Sequence, residues 1–124
     1  MPKKVTKTTA KQVVKFALEK KAFDVKLMDL RKITTVTDFF IVCSATSDVQ
    51  VRAVVDNVIK KARESDVPVY NVEGLESMRW VLIDLVEIVV HVFQPEVRMY
   101  YQLERLWGDA PTESFGDEPQ ASAS

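Results

Sequence analysis

The side chains able to do covalent or acid–base chemistry are few. His91 is the only histidine and Cys43 the only cysteine in the 124-residue chain. A thiol within hydrogen-bond reach of an imidazole makes a nucleophile and its base. Cys43 closes the apolar run Phe39-Phe40-Ile41-Val42-Cys43 and His91 lies inside Val89-Val90-His91-Val92-Phe93, and no spacing rule brings the two together. The plainer reading is a strand histidine, hydrogen-bonded or facing solvent, and a small core cysteine. A lone cysteine forms no intrachain disulfide and no cysteine-built zinc site, and points to a reducing compartment. The carboxylates Asp24, Asp29, Asp38, Asp48, Asp56, Asp66, Glu73, Glu76, Asp84 and Glu87 mostly flank apolar runs, where solvated acids normally sit. No Asp-x-Asp pair falls within a strand-like run, so two-metal phosphoryl transfer has no obvious ligands. Ser44-Ala45-Thr46-Ser47-Asp48 is a small polar loop leading into a helix. Such a loop can hold an anion on backbone N–H groups, but it lacks the glycines and lysine of a phosphate loop, and a capping loop explains it as well.

Charge is uneven. Residues 1–21 carry seven lysines against one glutamate, whereas residues 104–124 carry Arg105 against Glu104, Asp109, Glu113, Asp117 and Glu118. The overall balance is −1, unlike a protein held on nucleic acid by bulk positive charge. Basic and aromatic residues are not interleaved as on an RNA-reading sheet, so no sequence-specific nucleic acid is expected. The informative stretch runs from Glu73 to Glu87. It sets Glu73, Glu76, Asp84 and Glu87 against Arg79 and adds Met78, Trp80 and Leu85. Tryptophan with an acidic rim is the composition of an anchor for a basic partner, and equally of a tryptophan packed under the N-terminal helix.

The elements that must position these residues follow from periodicity. A helix is expected over Thr9–Lys21, with Ala10, Val13, Val14, Ala17 and Leu18 on one face and Thr8 or Thr9 as cap. Strands are expected at Val25–Leu30 and Phe39–Ser44. The second is apolar throughout, hence central, and the short link predicts antiparallel pairing. Ser47 with Gln50 opens a second helix carrying Val51, Val54, Val55, Val58, Ile59 and Ala62. A short strand Val69–Val72 completes a βαβ unit. Trp80–Leu85 and Ile88–Phe93 form a hairpin, and Val86-Glu87 is a poor pair for a tight turn, which predicts a looser one. A closing helix is expected over Glu96–Trp107. The sum is an α/β (α+β) domain over residues 9–110, a mixed sheet of about five strands with flanking helices. A flexible segment 1–8 precedes it and a disordered acidic tail 111–124 follows. No run approaches the roughly 20 apolar residues of a membrane span, and no apolar leader segment follows the first lysines, so a cytoplasmic protein with no membrane partner is expected.

Five stretches together resemble the ribosomal silencing factor family (RsfS, or Iojap). They are Ile33-Thr34-Thr35-Val36-Thr37-Asp38-Phe39-Phe40-Ile41-Val42-Cys43-Ser44-Ala45-Thr46-Ser47, Val72-Glu73-Gly74, Arg79-Trp80-Val81-Leu82-Ile83-Asp84, Val89-Val90-His91-Val92-Phe93, and Tyr101-Gln102-Leu103-Glu104-Arg105-Leu106-Trp107. The resemblance implies a nucleotidyltransferase-like fold without catalytic carboxylates, no cofactor and no turnover. It implies binding to large-subunit ribosomal protein fourteen (L14-type), steric exclusion of the small subunit, and repression of translation. It implies a partner-binding set at Trp80, Asp84 and Leu85, joined here by Glu73, Met78, Arg79 and Glu87. The family's Gly-Asp after this strand is Val86-Glu87 here. Two other readings stand beside this one: a nucleotidyl- or phosphoryl-transferase using the Ser44–Asp48 loop, and a homodimer that hides the Trp80–Leu85 surface.

Overall fold

The computed structural model describes residues 6–97, 105 and 107–115. The elements are α1 (Lys7–Leu18), β1 (Phe23–Asp29), β2 (Phe39–Ser44), α2 (Asp48–Glu64), β3 (Asn71–Glu73), β4 (Trp80–Asp84), β5 (Ile88–Phe93) and β6 (Thr112–Phe115). The strands form one six-stranded sheet in the order β3-β4-β5-β2-β1-β6. β2 is interior, antiparallel to β1 as its apolar run and short link predict, and parallel to β5. The successive pairings also make β3 run parallel to β2, so the β2-α2-β3 crossover is real, but β5 and β4 lie between the two strands.

The helix ends are set by local hydrogen bonds rather than by the residues first favoured. α1 starts earlier than expected because Thr6, with an extended backbone, accepts from Thr9 N at 3.3 Å. Residues 7 and 8 are therefore helical. α1 stops before Lys21 because Ala22 N reaches back to Ala17 O and Lys21 N to Leu18 O, with Lys21 left-handed at φ 68°; this is the paired closure that usually takes glycine. α2 closes the same way on Asp66 at φ 61°, with Val67 N on Ala62 O, ahead of Pro68. At its start Ser47 Oγ accepts from Gln50 N at 3.2 Å. The Gln50 side chain does not return to the cap; it accepts from Thr46 N and donates to Lys20 O and Lys21 O, tying α2 to the end of α1.

Both helices lie on one face of the sheet. Val13, Val14, Val51, Val54, Val55 and Val58 pack there against Val25, Leu27, Ile41, Cys43, Ile83, Leu85, Val90 and Val92. On the other face a smaller cluster gathers Met28, Leu30, Val42, Phe93 and Ala110 with Phe40, Val97 and Trp107 at its margin. The closing helix expected over 96–107 falls largely outside the described residues.

The expected disordered tail is corrected at its start. Thr112–Phe115 is an edge strand antiparallel to β1, which makes six strands rather than five. Composition misled because this strand needs little apolar surface. Phe115 packs on the helix-side core, β1 supplies the backbone partners, and Glu113 meets Lys7 and Lys11 of α1. The basic and acidic ends of the chain thus meet each other, and Lys7 holds the Glu113 carboxyl below its usual range.

The β4–β5 hairpin is tight, not loose. Leu85 N donates to Ile88 O at 2.8 Å and Glu87 N to Leu85 O at 3.0 Å. Val86 is forced to φ 76°, with its N–H held by Asp84 Oδ1 at 2.9 Å. A β-branched residue there is strained by about 1–3 kcal/mol, and Val86, 45% exposed, recovers little through burial. Val86→Gly should therefore stabilise the fold by about 1 kcal/mol, because the relieved strain exceeds the entropy glycine loses; urea unfolding measures this, and an unchanged or lower midpoint contradicts it.

Candidate functional site

Alternation along β4 divides it sharply. Val81, Ile83 and Leu85 point into the helix-side core. Trp80, Leu82 and Asp84 point to the opposite face, where Trp80 is 36% exposed and Leu82 and Asp84 are half-buried. Next to them on that face come Glu73 and Asn71 of β3, paired with Leu82 and Asp84, and Val89, His91 and Phe93 of β5. Trp107, Val97 and Ala110 cover the middle of this face. The β3–β4 end presents Trp80 and Leu82 rimmed by the carboxylates of Glu73 and Asp84.

The loop before Trp80 is held from several sides. Gly74 sits at φ 92°, and a Cβ there would stand 2.1 Å from the Trp80 carbonyl oxygen, so glycine is required by both conformation and space. Met78 N donates to Gly74 O, Gln94 N to Arg79 O, and buried Gln94 Nε2 to both Met78 O and Asp48 Oδ1. Arg79 is exposed and Met78 half-buried beside Trp80 in the chain. At the far end of β4, the Glu87 carbonyl accepts from Thr37 Oγ1, Asp38 N and Phe39 N. The Thr37-Asp38-Phe39 run thereby fixes the hairpin through one hydroxyl and two backbone N–H groups.

The indole of Trp80 stacks on Phe93 with centroids 5.1 Å apart and donates from Nε1 to His91 Nδ1 at 3.1 Å. Phe40 meets the His91 ring edge-on at 4.8 Å. His91 is 3% exposed and burial pushes its pKa down to about 4. The unfolded chain, with an ordinary imidazole near 6.5, takes up a proton between pH 6.5 and pH 4 that the folded chain refuses. Stability therefore falls as pH is lowered through that window, by on the order of 3 kcal/mol from this group. Chemical denaturation at pH 7 and pH 4, compared with His91→Phe, should show the loss shrinking in the variant; an equal loss in both contradicts it.

Of the expected site residues, the structure places Trp80, Asp84 and Glu73 on the face away from the helices, with Arg79 exposed just before β4 and Glu87 in the β4–β5 hairpin; Met78 is corrected, packing against the helix-side core. Leu85 is corrected: it is fully buried against the helices. Five positions from Trp80 is an odd number, which puts the two on opposite faces of one strand. Leu82, which is two positions from Trp80 and half-buried, is the β4 leucine that shares its face. Alternation from Trp80 was the signal that finds it.

The other chemical candidates separate. Cys43 pairs with Val92, and His91 with Val42, across parallel strands, so thiol and imidazole occupy opposite faces and form no dyad. Burial pushes the Cys43 thiol up to about 12. In the Ser44–Asp48 loop, Ala45 N is held by Phe93 O, Thr46 N by Gln50 Oε1, and the Asp48 carboxylate by Gln94. That is a capping loop, with its Ala45 and Thr46 N–H groups already engaged and its carboxylate already paired. Among the described residues no cluster of three or more His, Cys, Asp or Glu could hold a metal, and no helix is long and apolar enough to cross a membrane.

Residues 3–124 match the model of the family described as ribosomal silencing factor during starvation. The chain belongs to the RsfS family. A ribosomal silencing factor RsfS of Halalkalibacterium halodurans is 46% identical over 94 residues, which are 76% of this chain and 80% of that protein. The mouse protein named mitochondrial assembly of ribosomal large subunit protein 1 is 34% identical over 86 residues, 66% of this chain and 36% of that one. A crystal structure of a Chromobacterium violaceum protein superposes with a TM-score of 0.79 at 35% identity, covering 85% of this chain and 88% of that one. The six-stranded sheet with its tight β4–β5 hairpin is thus the setting in which this RsfS chain presents Trp80.

Proposed function

We propose that this protein silences ribosomes by sitting on the large subunit, on its L14-type protein, where its bulk keeps the small subunit from joining. The observation that carries the reading is the β3–β4 margin of the sheet: Trp80 exposed and Leu82 half-buried beside it, with Glu73 exposed and Asp84 half-buried at their rim. A rigid indole supplies desolvated contact area, and carboxylates steer a basic ribosomal surface and set its register. Family membership points to the ribosome, and the mouse relative is named for assembly of the ribosomal large subunit. Arg79 and Glu87 border the contact. The action requires no turnover, only occupancy, and it belongs in the cytoplasm.

The test is a sucrose-gradient joining assay with purified subunits. Excess protein should leave separate large and small particles at magnesium concentrations that otherwise join them, and should travel with the large one. Migration with the small subunit, or joining that proceeds unhindered while the large subunit is saturated, overturns the reading. Light scattering across concentration shows whether the protein forms a homodimer; a dimer that covers Trp80 raises the protein concentration at which the large subunit saturates.

A further inference from the structure

We propose that His91 is the positioning residue of the docking face, its Nδ1 holding the Trp80 indole in the orientation that the ribosomal partner meets. The inference rests on the docking reading above and adds to it a residue that the partner never touches. An indole N–H can only donate. The Trp80 Nε1 contact at 3.1 Å therefore makes His91 Nδ1 the acceptor and leaves the ring proton on Nε2. Nε2 is buried and has no hydrogen-bond partner among the described residues. A buried donor left unsatisfied is a cost that stable folds rarely retain without return. The return here is geometric. His91 pairs across the strands with Leu82, and Trp80 with Phe93, so the Trp80–His91 bond runs diagonally over the hairpin. It fixes the indole edge while Phe93 fixes one face at an interplanar angle of 24°. Phe40, packed edge-on at 76°, keeps the imidazole from turning. Two constraints on one half-exposed side chain remove the rotational freedom that docking would otherwise have to freeze.

The experiment combines His91→Phe, which keeps the ring and loses the acceptor, with Trp80→Phe, which keeps the stack and loses the donor. Affinity for isolated large subunits is titrated by co-sedimentation, and the fraction folded is measured on the same samples. H91F should weaken docking about five-fold per folded molecule, the worth of one neutral hydrogen bond, and should add nothing in the Trp80→Phe background. His91→Asn, whose Oδ1 stands in for Nδ1, should recover most of the affinity. In nitrogen–proton spectra the Trp80 indole N–H should exchange with solvent faster in H91F than in the native protein, a readout that needs no ribosome. If the native protein docks and H91F docks equally well, or if H91F costs the same in both backgrounds, the positioning role is overturned and docking stands. If the native protein does not dock, the docking reading fails and takes this inference with it, whatever the spectra show.

Discussion

Trp80→Ala should weaken co-sedimentation with isolated large subunits by about 30- to 1000-fold, the range that corresponds to losing about 2–4 kcal/mol at a central aromatic anchor. The size follows from the setting. Trp80 is a large aromatic exposed at the β3–β4 margin of the sheet, is already immobilised by Phe93 and His91, and shares its face of β4 with half-buried Leu82. Its side chain lies outside the helix-side core, so the variant stays folded, which circular dichroism checks. Charge reversal at the rim, Glu73→Lys, should act more weakly and mostly on the association rate, and should fade as salt rises. Undiminished co-sedimentation of folded Trp80→Ala places the docking surface elsewhere on the molecule.

Leu85→Ala is the second large effect, and of a different kind. Leu85 has no exposed surface and packs among Ile83, Ile88 and the valines of α2. Truncation removes buried methyl groups and leaves a hole, at a cost of about 2–5 kcal/mol of stability. Urea unfolding should report that loss in full, while the fraction still folded docks as the native protein does. A Leu85→Ala protein of native stability that no longer docks would make Leu85 a contact after all and would reverse the strand assignment given above.

Much of this architecture is legible in the amino-acid pattern. The apolar run Phe39–Cys43 predicts an interior strand, and the spacing from Val51 to Ala62 predicts a helix with one buried face; both hold. The acidic, aromatic stretch from Glu73 to Glu87 does gather at one end of the sheet. The failures have physical causes. Thr112–Phe115 is nearly all polar, and its order comes from a distant strand and from a glutamate meeting two lysines of α1, which no local window contains. The resemblance puts Leu85 in the contact, whereas an odd number of residues from Trp80 turns it to the opposite face of β4. The Trp80–His91 bond needs the hairpin register. That register follows once Val86 takes a left-handed conformation and the turn closes on two residues, but valine is among the residues least suited to do so.

The pairing of β6 with β1 has a practical consequence for how the molecule can be handled. Thr6, the first described residue of the N-terminal helix, and Phe115, the last of β6, lie toward one margin of the sheet, whereas β3 and β4 form the opposite margin. At about 4.8 Å per strand, some 20 Å of sheet separates the two borders. A fluorophore attached to the side chain at position 6 or 115 would stand on the margin away from Trp80, so single-molecule measurements can report arrival and departure of ribosomal particles without masking the aromatic contact.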